Sequence, residues 1–126
     1  MKWKKTLFDT HASVKSSNVL FATITYDVNR CTIREAWENI GEDFNNWIRN
    51  LRKKFGRISY LRGWESSQKG YPHIHVLMIF HDHNFQVAFS QLKKNRLVYR
   101  IEEKEEFEKS WNSFVDVQAI RKMSGN

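Results

Sequence analysis

Residues 70–80 read Gly-Tyr-Pro-His-Ile-His-Val-Leu-Met-Ile-Phe, an apolar run opened by proline and broken only by two histidines. A run this short is a strand, and proline confines its start to a strand end or an edge. Strand side chains alternate between faces, so His73 and His75 stand side by side above one face of a sheet. An imidazole on such a strand needs a partner, because a buried polar ring without one is costly. Glu65, eight residues before His73, is the natural third member of a divalent-metal site.

The segment before it supports that assignment. Residues 57–65 alternate, with Ile58, Tyr60 and Trp64 on one face and Leu61 and Glu65 on the other. Ser66 to Tyr71 is a polar turn, so residues 57–80 are predicted to form an antiparallel hairpin. Pairing across that turn delivers Glu65 to both histidines at the hairpin's turn end. Two imidazoles and one carboxylate leave positions open on an ion, as a catalytic site requires. Carboxylate suits Mg²⁺ or Mn²⁺, while two imidazoles pull toward Mn²⁺ or Zn²⁺. His81 lies six residues beyond His75, about 20 Å along a strand, too far to share the ion. His81 and His83 read as turn residues, and His11 as a surface residue.

Upstream, residues 1–17 are a polar lead-in, and Val19 to Tyr26 is short and rich in β-branched and aromatic residues, a buried strand. Thr32 followed three residues later by Glu35 is a capping box. Ile33, Trp37, Ile40, Phe44, Trp47, Leu51 and Phe55 then recur every three or four residues, the apolar stripe of a helix that Gly56 ends. Downstream, residues 85–92 fit helix or strand, 97–101 a strand, 102–111 a helix, and 114–120 a last alternating strand. No linker or repeat interrupts the pattern, so residues 1–126 are expected to be one α+β domain. Its antiparallel sheet should carry helices on one face.

Net charge is 21 − 14 = +7, and residues 1–63 carry 12 basic against 6 acidic side chains. Excess positive charge supplies sequence-independent affinity for nucleic acid. The cations nominated for that role are Arg52, Lys53, Lys54, Arg57, Arg62 and Lys69, with Arg49 beside them; those closing the helix also complement its negative end. Lys69 sits in the polar loop between Glu65 and the histidines, where a phosphate would approach. No apolar run is long enough for a bilayer. Met1-Lys2-Trp3-Lys4-Lys5 is basic without a signal core, and the one cysteine, Cys31, has no partner for an internal disulfide. A cytoplasmic protein is therefore expected.

Glu65 with Pro72-His73-Ile74-His75-Val76-Leu77-Met78-Ile79-Phe80 resembles the second motif of the HUH endonucleases, named for histidine–hydrophobe–histidine. Phe21-Ala22-Thr23-Ile24-Thr25-Tyr26 resembles the first motif of their rolling-circle replication initiators, and Phe114 to Arg121 the strand before their third. The resemblance implies a ferredoxin-like or RRM-like sheet carrying the metal on its face, with Glu65, His73 and His75 as ligands. It implies nicking and joining of single-stranded or hairpin origin DNA, alongside further domains or host replication proteins. In that family a tyrosine in a Tyr-x-x-Lys motif attacks the phosphate and becomes covalently linked. Tyr26, Tyr60, Tyr71 and Tyr99 lack that context, so no catalytic nucleophile is identified and it is expected beyond Asn126. The alternatives are a single-strand transposase of the same superfamily and a non-catalytic nucleic-acid binder stacking bases on Trp3, Tyr60, Trp64 and Tyr99. A histidine-triad hydrolase would need histidine where Leu77 stands.

Overall fold

The long helix begins where the capping box places it. In the computed structural model, which describes residues 16–111 and 113–120, the Thr32 hydroxyl accepts from the Glu35 amide at 3.1 Å. The Glu35 carboxylate accepts from the Thr32 amide at 2.8 Å. Helix α1 spans Ile33–Phe55. It ends at Gly56, whose φ of 89° and N–H to the Arg52 carbonyl close the last turn. A side chain at Gly56 would also meet Asp82, since a Cβ there would lie 2.5 Å from its carboxylate oxygen.

Strands β1 (Ser16–Ser17), β2 (Val19–Thr25), β3 (Ile58–Ser66), β4 (Pro72–Phe80), β5 (Phe85–Lys93), β6 (Arg96–Ile101) and β7 (Phe114–Ala119) form one seven-stranded sheet. Its order is β1-β5-β6-β7-β2-β4-β3, and every pairing is antiparallel. A second, short helix, α2 (Lys104–Lys109), precedes β7. The architecture is α+β, consistent with a ferredoxin-like arrangement. Residues 85–92, which fit either class by pattern, are strand, with a register shift between Val87 and Phe89 that breaks strict alternation.

The core lies between α1 and one face of the sheet. Ile40, Phe44, Trp47, Ile48, Leu51 and Phe55 of α1 pack in one cluster with Leu20, Ala22, Ile24, Ile74, Val76, Met78 and Phe80. Phe107 of α2 joins from the same side, stacked on Phe55 at 5.8 Å, and its carbonyl accepts from the Trp47 indole at 2.8 Å. Both helices thus cover one face. The side chains alternating with this core, His73, His75, Leu77 and Ile79 on β4 and Phe21 and Thr23 on β2, belong to the other, open face. Leu77 and Ile79 remain 37% and 39% exposed there, because no described element covers them.

Ile33 and Trp37, the first members of the apolar stripe, are not core: they are 44% and 43% exposed. They clamp the β3–β4 turn instead. The Trp37 indole donates to the Gly70 carbonyl at 2.8 Å, and Gly70, at φ 94°, leaves only a Cβ's width before Ile33. Tyr71 is buried, with its hydroxyl donating to the Cys31 carbonyl at 2.6 Å. These contacts fix the turn that carries the candidate site. Among the described residues no helix is long and apolar enough to cross a membrane.

Candidate metal centre

Register decides the geometry. In the β3–β4 hairpin Glu65 is directly opposite His73, and Gly63 is opposite His75. Directly opposed residues of an antiparallel pair share a face, so all three polar side chains meet on the open face at the turn end. One ligating atom from each of Glu65, His73 and His75 lies within 4.8 Å of the others. Gly63, facing His75, contributes no side chain, which lets Glu65 reach diagonally: its carboxylate is 2.7 Å from His75 Nε2. Metal–ligand bonds of about 2.0–2.2 Å put neighbouring ligand atoms roughly 3 Å apart, so small side-chain rotations would close this set around an ion. The donor set of two imidazoles and a partly exposed carboxylate fits a divalent cation with open positions.

His75 is the best-supported ligand. Thr23, its cross-strand neighbour on β2, has its hydroxyl 3.1 Å from His75 Nδ1. Phe21, two residues earlier, lies nearly parallel to the imidazole, with centroids 6.0 Å apart and planes 10° apart. The ring is thus held by a hydroxyl at one nitrogen and a flat apolar neighbour, leaving Nε2 directed at Glu65. Metal-bound histidines characteristically carry such a partner on the second nitrogen. Neither Thr23 nor Phe21 was identifiable as a site residue, because the β2–β4 register is non-local. The alternation Phe21-Ala22-Thr23 was the available signal: it puts Phe21 and Thr23 opposite the core face.

His81 and His83 stand apart from the triad. His81 Nε2 lies 2.7 Å from the Ser59 hydroxyl, and His83 contacts Glu103 at 3.0 Å and the Phe85 ring at 4.5 Å. His11 and Trp3 fall outside the described residues.

The nominated cations divide into groups. Lys69 lies exposed in the hairpin turn beside the triad. Arg57 is engaged by Asp82 at 2.8 Å, an exposed pair in which hydrogen bonds from the Arg57 side chain and backbone lower the carboxyl to about 2. Lys54 meets Glu106 at 3.9 Å. Arg52, Lys53 and Arg62, with Arg49, lie on the helix side of the sheet, across β3 from the triad. Of the tyrosines, Tyr26 donates to Asp43 at 2.5 Å, and burial followed by that carboxylate pushes its phenol well above its ordinary range. Tyr60 and Tyr99 are on the core face of their strands, and Tyr71 is buried under the turn.

The profile of a replication-associated protein family, the ORF2 type, matches residues 19–124. The chain belongs to that family. The match begins with β2, the strand bearing Thr23, and takes in the whole β3–β4 hairpin, so the triad lies inside the family domain. No curated protein and no solved structure matches the chain. Membership makes it a Rep-type domain with a role in replication initiation, and nucleic acid its expected partner.

Proposed function

We propose that this replication-associated domain nicks and rejoins single-stranded DNA at a replication origin, using a divalent cation held by Glu65, His73 and His75. The observation that carries the reading is the convergence of those three side chains on an open sheet face, inside a domain of a replication-associated family. When bound, a cation such as Mn²⁺ or Mg²⁺ polarises the scissile phosphate and offsets charge developing on its oxygens. The chain's own residues bind and orient. Thr23 and Phe21 hold the His75 ring. Leu61, 76% exposed, lies opposite Leu77 on the same face and, with Phe21 and Ile79, offers an apolar floor for unpaired bases. Lys69 adds positive charge beside the phosphate. None of the four tyrosines offers its hydroxyl on this face, so the attacking group comes from outside the described residues, as a phosphotyrosine mechanism in an HUH-type enzyme would place it.

End-labelled single-stranded origin DNA incubated with Mn²⁺ and the protein at its natural length tests the reading. Cleavage with protein left covalently on the 5′ end is expected, and its loss on EDTA addition or in His75→Ala. Strand-transfer products in place of simple nicks would move the assignment to a single-strand transposase. Binding without any cleavage across several origins would reduce it to a basic nucleic-acid-binding module.

A further inference from the structure

The helix side of β3 carries a second set of groups suited to nucleic acid, separated from the triad by the sheet itself. Asn45, Arg49, Arg52 and Lys53 project from α1 at spacings of three and four, one face of the helix. With Ile48 and Tyr60 they line an open cleft of about 560 Å³. The Arg52 guanidinium lies over the Tyr60 ring at 5.7 Å. Two residues along the same face of β3, the Arg62 guanidinium is sandwiched between Phe44 at 4.7 Å and Trp64 at 4.9 Å. Tyr60 and Trp64 remain 37% and 44% exposed.

Among the described residues, Arg49, Arg52, Lys53 and Arg62 make no ion pair with any carboxylate, whereas Lys54 and Arg57 do. Arg62 Nη1 is buried with no hydrogen-bond partner. Complementing the helix dipole accounts for cations in the last turn; it accounts for neither Arg49 nor the arginine–aromatic alternation on the neighbouring strand. Concentrated, unneutralised guanidinium and ammonium groups interleaved with exposed rings are the chemistry that binds phosphates and stacks bases along a single strand.

β3 is the edge of the sheet. Trp64 and Glu65 are consecutive and therefore face opposite sides, so a polynucleotide leaving the metal centre needs only to pass over one strand to reach this cleft. We propose that the α1–β3 cleft is a second binding track for single-stranded DNA, holding the flank of the strand whose scissile phosphate sits at the triad. The placement of the flank rests on the triad reading; binding by the cleft itself needs no metal.

The test separates the two. Fluorescence anisotropy of a labelled single strand is measured in EDTA as a function of salt, with the wild type and Arg49→Gln/Lys53→Gln, whose side chains are exposed and outside the core. Mn²⁺ titrations run in parallel, and bromodeoxyuridine strands are photocrosslinked for mapping. Each phosphate contact on a single strand contributes about −0.7 to the log–log salt slope. The double variant should therefore shallow the slope by about 1.4, keep wild-type Mn²⁺ affinity, and the wild type should crosslink at Trp64 or Tyr60. An unchanged slope, crosslinks confined to the open face at Phe21 or Leu77, or equal affinity for duplex would overturn the track. If the wild type binds Mn²⁺ but no DNA in EDTA, the track falls and the metal reading stands. If Mn²⁺ fails while the Trp64 crosslink forms, the metal reading falls and the track stands.

Discussion

Replacing Thr23 by valine removes one hydroxyl and keeps the side chain's shape on β2. The lost contact is the 3.1 Å hydrogen bond to His75 Nδ1; the Phe21 stacking and the β2–β4 ladder remain. Without it, His75 loses the group that fixes its ring orientation and tells its two nitrogens apart, and part of the metal's binding energy must restore them. Hydrogen-bond partners of metal-bound histidines contribute about 10–100-fold to affinity, which is about 1.4–2.8 kcal/mol at about 1.4 kcal/mol per decade. Folding should change by only about 0.5–1.5 kcal/mol, the net value of one hydrogen bond. Calorimetric Mn²⁺ titration should thus show Kd raised about 10–100-fold in Thr23→Val and largely restored in Thr23→Ser. Ring ¹⁵N shifts of His75 should move from one dominant tautomer toward a mixture. A Thr23→Val protein with wild-type Kd and unchanged ring shifts would refute the reasoning, provided the wild type binds.

Other substitutions probe the scaffold. Trp37→Phe keeps the ring but deletes the donor to Gly70; it should cost about 0.5–1.5 kcal/mol and speed amide exchange at residues 67–71, read by NMR. Gly56→Ala places a Cβ at positive φ and against Asp82, and should lower the urea-unfolding free energy by about 2 kcal/mol. Asp82 has its carboxyl depressed from 3.8 to about 2, chiefly by the hydrogen bonds from Arg57. A group depressed on folding stabilises above its unfolded value, and that contribution is lost as pH falls through the folded one. Thermal melts of Asp82→Asn should consequently show a flatter pH dependence than wild type between about 4 and about 2.

The sequence made the hairpin legible because everything needed there is local. A period of two, one polar turn and a proline place Glu65, His73 and His75 at one end of one face, and the observed register of Glu65 opposite His73 follows. The capping box at Thr32 and the glycine at 56 bound α1 for the same reason. What escaped depends on distant partners. The alternation of β2 does not reveal that Thr23 pairs with His75, 52 residues away. The stripe through Ile33 and Trp37 has the period of a buried face, yet those two side chains fall beyond the sheet and hold a loop. A bulge blurred β5. The cations looked like one patch in the chain, but parity on β3 sends Arg62 to the helix side while Glu65 faces the other way.

The central claim is that Glu65, His73 and His75 form a metal site. Calorimetric titration of Mn²⁺ into the wild-type protein and into His75→Ala, each checked for folding by circular dichroism, tests it most directly. One binding site per chain, abolished in His75→Ala, is the predicted result. A folded wild type that takes up no Mn²⁺, or a His75→Ala protein that binds it equally well, would contradict the account.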